Sequence, residues 1–390
     1  MAVCLLAPGR DKRVRAGHPW VYRTEIAEVR GEFTPGDTVT VVDARGRFLG
    51  RGYINPRSQI AVRLVTRVDE PVDASLFRRR LEEALAYRQV VAPEAEACRL
   101  VFAESDRLPG LIVDRFGPYL VLQSLTLGME RWQETVVGLL VELTGVEGVY
   151  ARNDVPVREL EGLEQNTGYL WGGFDPLVTI RENQVLLAVD LARGQKSGHF
   201  LDQRENRAAL RPYVAGARVL DCFCHTGGFA LHATIYGAGS VLGLDISETA
   251  VAQARHNATL NGLEDRCEFR VANVFDALRE MDASGQRFDV IILDPPAFVK
   301  NRQALEGAIR GYKEINLRAM KLLPPGGFLF TASCSYHLAE ELFQEVLAEA
   351  AADVRRTLRV IEIRHQARDH PVLLPYRESC YLKFFICQVL

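Results

Sequence analysis

From about residue 175 to the C-terminus, short apolar runs alternate with helical stretches, and that rhythm admits few folds. The runs are Arg218–Phe223, Ser240–Leu244, Cys267–Val271, Val290–Leu293 and Gly327–Ala332. Periodicity predicts helices over Phe229–Tyr236, Ser247–Leu260, Ala304–Leu323 and Ala339–Ala350. Parallel strands need long crossovers, usually helical, so this alternation means a mostly parallel, doubly wound α/β sheet. Ligands of such sheets bind outside the carboxyl ends of the strands.

The run Val219-Leu-Asp-Cys-Phe-Cys-His-Thr-Gly-Gly-Phe-Ala230 reads as a strand, a glycine turn and a helix start. Gly227 and Gly228 let the backbone pass close to a ligand. The spacing is not G-x-G-x-x-G and no phosphate-cradling lysine follows, so a dinucleotide or nucleoside triphosphate is not the expected ligand. Asp245 ends the next strand about 20 residues later, where a carboxylate accepts hydrogen bonds from both ribose hydroxyls of a nucleoside. Its competing role is helix capping, to which Asp245 and Ser247 are both suited. Adenosine held without a pyrophosphate points to S-adenosylmethionine. The third strand ends at Asn273, whose amide oxygen can accept a bond from the adenine amine.

Asp294-Pro-Pro closes the fourth strand and faces the substrate, and Cys334 closes the fifth at the same rim. Cys334 is the best nucleophile among eight cysteines, because a cysteine at a strand's end beside a helix start can become a thiolate. Cys222, Cys224 and Cys267 lie in or near strands and read as packing. Cys222 and Cys224 form C-x-C without further ligand pairs, so no metal site is expected. Carbon-5 of cytosine is a poor nucleophile, but thiolate addition at carbon-6 makes it enamine-like. In that chemistry Asp294 would hydrogen-bond ring nitrogen 3 and the exocyclic amine, and a helical target base would be flipped out. The base that removes the carbon-5 proton is not legible.

Residues 1–70 read as a small all-β module. Thr38–Val42 and Phe48–Tyr53 flank a turn, and Ile60–Leu64 follows Asn55-Pro56-Arg57. A module of this size buries its edges by closing a barrel. Residues 71–172 read as an α+β unit, with a helix over 72–90, a hairpin of Gly110–Phe116 and Tyr119–Leu125, a helix over Trp132–Leu143 and a strand over Gly148–Arg152. Residues 173–390 form the third domain. Net charge is −3, yet residues 1–67 hold 12 Lys/Arg against 6 Asp/Glu, and the rest of the chain carries the acidic excess. A basic end on an acidic body suggests a nucleic-acid grip. No apolar run reaches the ~18–20 residues of a membrane span, and the N-terminus is not a secretory signal, so a cytoplasmic protein is expected.

These residues resemble the 23S ribosomal RNA (cytosine-5-)-methyltransferase I family over nearly the whole chain. The matching segments are Gly17-His-Pro-Trp-Val-Tyr22, Leu108-Pro-Gly-Leu-Ile-Val-Asp-Arg-Phe-Gly117, Lys196-Ser-Gly-His-Phe-Leu-Asp-Gln-Arg204, the glycine turn, Asp294-Pro-Pro-Ala-Phe298, Ser333-Cys-Ser335, Asp369-His-Pro-Val372 and Tyr381-Leu-Lys383. The resemblance implies an N-terminal PUA β-barrel, a small central α+β domain and a C-terminal class I methyltransferase with a Rossmann-like sheet. It implies that Cys334 and Asp294 are catalytic and that 23S ribosomal RNA is the partner. It further implies that Phe200, Gln203, Arg204, Asp221, Phe223, Thr226, Gly227, Gly228, Asp245, Asn273 and Asp294 hold S-adenosylmethionine, with Phe200, Gln203 and Arg204 near its methionine end. Other RNA cytosine-5 methyltransferases carry a second cysteine after the proline of the fourth-strand motif. Here Ala297 and Phe298 follow, so release must work otherwise.

Two other readings remain at this point: methylation of a nitrogen of an RNA base, with Cys334 idle, and a non-catalytic RNA-binding assembly factor. The nucleotide, the state of the RNA substrate and whether a homodimer forms are not legible in the sequence.

Overall fold

The computed structural model describes residues 1–194, 197–298 and 305–390. Lys196 and Ala304, which open two of the segments named above, lie outside the described residues. The chain divides into two compact units. One comprises Met1–Ile180, Val189–Leu201 and Arg368–Ser379; the other comprises Arg181–Ala188, Asp202–Ala367 and Cys380–Leu390.

In the second unit seven strands form one sheet: β1 (Arg218–Cys222), β2 (Ser240–Asp245), β3 (Cys267–Val271), β4 (Val290–Leu293), β5 (Phe328–Ser333), β6 (Leu358–Arg364) and β7 (Lys383–Val389). Their order is β3-β2-β1-β4-β5-β7-β6. The first five run parallel, and β7 is antiparallel to both its neighbours. Helices α1 (Gly228–Ile235), α2 (Glu248–Leu260), α3 (Val274–Ala283), α4 (Leu305–Leu322) and α5 (Glu340–Asp353) follow β1 to β5 in turn. The chain winds outward from β1 in one direction and from β4 in the other, so the topological switch lies between these two strands. Both are covered on each face, which explains why Val290–Leu293 is apolar without alternation and wholly buried. Leu220, Ile291 and Leu329 pack with Tyr312 and Phe343 of the helices in one apolar core.

The apolar pattern of the sequence does not predict α3, β6 or β7. The antiparallel direction of β7 carries no periodicity signal: Lys383–Val389 is nearly all buried and looks like any central strand. Strand β6 is an edge with Val360, Ile361 and Ile363 exposed, so it shows no buried face to find.

The first unit holds two sheets. Six strands run in the order Trp20–Val21, Val62–Thr66, Phe48–Ile54, Thr38–Val42, Val3–Leu6 and Ile26–Arg30. The strand expected at Ile60–Leu64 begins two residues later, because Asn55 N donates to Ala61 O (2.8 Å) and residues 55–61 close a loop. The other sheet orders Thr167–Trp171, Gly148–Arg152, Tyr119–Ser124, Leu111–Phe116 and Ala97–Phe102. Its helices, Ala74–Val91 and Leu127–Thr144, are capped by Asp73 and Thr126. The second starts earlier than the expected Trp132, since the Thr126 hydroxyl accepts from Met129 N. Polar contacts tie these two sheets together within the unit: Trp20 Nε1 donates to Glu104 Oε1 (2.7 Å), and Arg63 donates to Glu104 (2.9 Å) and Glu161 (3.3 Å).

Candidate active site

The turn after β1 is built from unusual backbone. Phe223 and His225 take positive φ of 64° and 49°, a conformation costing a non-glycine residue on the order of 1 kcal/mol. Cys224 N donates to Leu244 O (2.9 Å), Gly227 N to Cys224 O (2.8 Å) and His225 N to Asp245 Oδ2 (2.9 Å), which together fix the loop against β2. Gly227 has φ +86°, and a Cβ there would lie 2.9 Å from Phe269 of β3. A Cβ on Gly228 would lie 3.2 Å from Arg207 Cδ. The glycines thus answer to the unit's own packing as well as to any ligand, which sequence spacing alone does not reveal. Thr226 O accepts from Asn257 Nδ2 (3.1 Å).

Asp221 is fully buried in β1. Its Oδ2 accepts from Ala230 N (2.9 Å), and Oδ1 has no hydrogen-bond partner among the described residues. Burial, with Asp294 and Asp245 adding to it, pushes this carboxyl well above the ordinary carboxylate range. Asp245 sits half-buried at the end of β2, where Oδ2 takes His225 N and Oδ1 takes Ser247 N (2.9 Å). Ser247 caps α2 through its hydroxyl to Ala250 N (3.2 Å). Capping therefore falls to Ser247, and Asp245 locks the glycine turn to the next strand while each oxygen keeps further acceptor capacity. Asn273 is exposed, and its Oδ1 accepts from Phe275 N (3.0 Å) as the cap of α3. Half-buried Phe223 meets Phe298 edge-on at 6.4 Å, and Phe275 lies 6.0 Å from the same ring. An orphaned acceptor at the buried end of this turn and carboxylate acceptors at its outer end fit a cofactor that is cationic at one end and carries a ribose at the other.

Asp294 follows β4 and is half-buried. Gln203 Nε2 donates to Asp294 Oδ1 (2.9 Å), Asn206 Nδ2 donates to Gln203 Oε1 (2.7 Å), and Arg364 Nε donates to Asn206 Oδ1 (3.0 Å). The residue assigned by resemblance to the cofactor's methionine end thus grips the Asp294 carboxylate. Arg204 is buried, with Nη2 3.7 Å from Glu205. Phe200 is half-buried in the first unit.

Cys334 follows β5, half-buried, with Sγ 3.9 Å from Pro295 O, the residue after Asp294. Ser333 and Ser335 on either side are fully buried. Ser333 Oγ donates to Tyr312 Oη (3.0 Å), and Tyr312 Oη lies 2.9 Å from Ser335 Oγ. Of the eight cysteines only Cys334 and Cys380 escape full burial. Burial pushes Cys267, Cys4 and Cys387 up to about 12, and Cys222 and Cys224 well above the ordinary thiol range. Asn206, Tyr312 and Lys383 were not among the site residues named from the sequence. They come from other strands and helices; Lys383 falls in the matching segment Tyr381-Leu-Lys383 without a role attached to it, and no local pattern marks Asn206 or Tyr312.

The family profile of a PUA-like domain matches residues 5–67, and that of an S-adenosylmethionine-dependent methyltransferase matches residues 164–375. The chain is 44% identical to the Ribosomal RNA large subunit methyltransferase I of Erwinia tasmaniensis, covering 99% of each. It is 43% identical to the same-named protein of Klebsiella pneumoniae, covering 99% of this chain and 98% of that one. Among solved structures it is similar to SMU.776, crystallised with SAH, at TM-score 0.87 and 19% identity over 100% of both chains. At that identity the likeness concerns the fold. The pairing of domains, the strand order and these near-full-length relatives agree: the chain belongs to the ribosomal RNA large subunit methyltransferase I family of S-adenosylmethionine-dependent methyltransferases.

Proposed function

We propose that the protein methylates carbon-5 of a cytosine in large-subunit (23S) ribosomal RNA through a covalent Cys334 adduct. The observation that carries this reading is the placement of Cys334, a partly accessible thiol at the rim where β4 and β5 end, 3.9 Å from the backbone of the Asp294-Pro-Pro turn. S-adenosylmethionine supplies an electrophilic methyl group on a positively charged sulfur. The Cys334 thiolate adds to carbon-6, forming a C–S bond and moving the ring π electrons toward nitrogen 3. The Asp294 carboxyl, held by Gln203, donates its proton to nitrogen 3 and accepts from the 4-amine, stabilising the adduct as an enamine whose carbon-5 is the methyl acceptor. Carbon-5 takes the methyl as its bond to sulfur breaks, and loss of the carbon-5 proton to solvent then re-forms the carbon-5–carbon-6 double bond and expels the Cys334 thiolate.

Asp221, Phe223, Thr226, Gly227, Gly228, Asp245 and Asn273 bind the cofactor on this reading, with Phe200 and Arg204 at its methionine end. Residues 1–70 and 71–172 grip the RNA, and residues 173–390 carry out the transfer in the cytoplasm. Among the described residues no helix is long and apolar enough to cross a membrane.

The test incubates unmodified large-subunit RNA with methyl-labelled S-adenosylmethionine and wild type or Cys334→Ala, followed by nucleoside analysis. Label in 5-methylcytidine with wild type alone supports the reading. Label in another nucleoside, persisting in the variant, overturns it in favour of nitrogen methylation.

A further inference from the structure

Lys383 opens β7 directly opposite Ser333 of β5, one residue from Cys334. It is only 5% exposed. Its Nζ donates to Ser335 O (2.8 Å) and Tyr381 O (2.9 Å), two neutral acceptors. Among the described residues the ionisable groups that face it are Cys334, Cys380 and Glu340, and burial brings Lys383 down to about 8. Glu340 is engaged elsewhere, with His365 Nε2 2.7 Å from its Oε2. An ammonium whose bonds go to neutral carbonyls is costly to bury, and an adjacent anion offsets that cost. A thiol beside a cation ionises more readily. Cys380 fits the part less well, because burial raises its thiol more than Lys383 lowers it. On the other side, Tyr312 ties down both serines that flank Cys334 and so holds the thiol in place.

We propose that Lys383 is the cation that stabilises the Cys334 thiolate, a positioning residue that acts on methyl transfer through Cys334. The thiol proton leaves to solvent, and a thiolate–ammonium pair remains. Lys383 also braces the strand end, because its bond to Ser335 O fixes the peptide next to the nucleophile. The catalytic consequence rests on Cys334 being the nucleophile, but the ionisation itself does not.

The experiment follows iodoacetamide alkylation of Cys334, resolved by peptide mass spectrometry, from pH 5.5 to 9.5 in full-length wild type, Lys383→Gln and Lys383→Arg. An ordinary thiol titrates near about 8.5. We expect the wild-type midpoint well below that, a midpoint about one unit or more higher in Lys383→Gln, and recovery toward wild type in Lys383→Arg. Alkylation of buried Cys222 and Cys267 reports any loosening of the fold. A wild-type midpoint at or above the ordinary value overturns the proposal without recourse to a variant, as does an unchanged profile in folded Lys383→Gln. Methylation persisting in Cys334→Ala would refute the covalent mechanism and leave these midpoints untouched, so the two failures are distinguishable.

Discussion

A carboxyl with no solvent contact and a single hydrogen bond, as at Asp221, resists ionisation until a cation reaches it. Its folded pKa stands above its unfolded value, so it favours the folded chain fully below the unfolded pKa, about 3.9. That contribution is lost as pH rises toward the folded pKa. At pH 8 the ligand-free protein therefore carries a penalty that Asp221→Asn removes. We expect the variant to melt above wild type at pH 8, with the gap closing near pH 4, and its affinity for S-adenosylmethionine to fall at least about tenfold, since the charged acceptor is gone. Calorimetry at both pH values with titration of the cofactor checks this, and identical melting at pH 8 would sink it. Gln203 is distinguished by which parameter moves. Because it holds Asp294, Gln203→Ala should lower kcat about tenfold and leave the cofactor Kd within about twofold. A raised Kd with unchanged kcat would return Gln203 to the cofactor.

At the scale of the element, the glycine turn shows how backbone conformation and packing together fix a loop. Gly227 combines a left-handed backbone with a Cβ position 2.9 Å from Phe269, whereas Gly228 opens α1 without positive φ, where alanine's helix preference of about 1 kcal/mol offsets a 3.2 Å approach to Arg207, a buried side chain paired with Glu182. We expect Gly227→Ala to cost about 2–4 kcal/mol in urea unfolding, from backbone strain plus overpacking, and Gly228→Ala to stay within about 1 kcal/mol of wild type. Equal losses would refute this account of the turn. The same element shows what a sequence can reveal. The strand, the turn and Asp245 are contiguous enough to be legible, because each rests on local backbone chemistry. The long-range partners at the strand ends are not: Gln203 reaches Asp294 across 91 positions, and Lys383 reaches Ser335 across 48. Helix α3 is not legible although Val274, Leu278 and Met281 are its buried stripe, because ten residues hold too few repeats of the pattern.

For the molecule as a whole, the basic N-terminal module sets how RNA binding should respond to salt. Twelve cations lie in residues 1–67, but several are already committed to carboxylates: Arg13 to Glu25, Arg47 to Asp43, and Arg63 to Glu104 and Glu161. Such pairs hold a side chain in place at the expense of its charge toward phosphate. The surplus of 12 Lys/Arg over 6 Asp/Glu is therefore the better guide to reach than the gross count. If each surplus cation displaces one counterion, the slope of log affinity against log salt should be no steeper than about −5. The exposed cations Lys12, Arg23 and Arg45 are the ones to change, because they lie at the surface and their loss opens no core. Replacing all three with Gln should flatten the slope by about 2–3 and weaken binding across RNA sequences alike. Filter binding from about 50 to 200 mM salt measures both. A steep slope that the triple variant leaves unchanged would move the phosphate contacts out of the N-terminal module, and a flat slope in wild type would mean that its charge excess serves solubility rather than RNA.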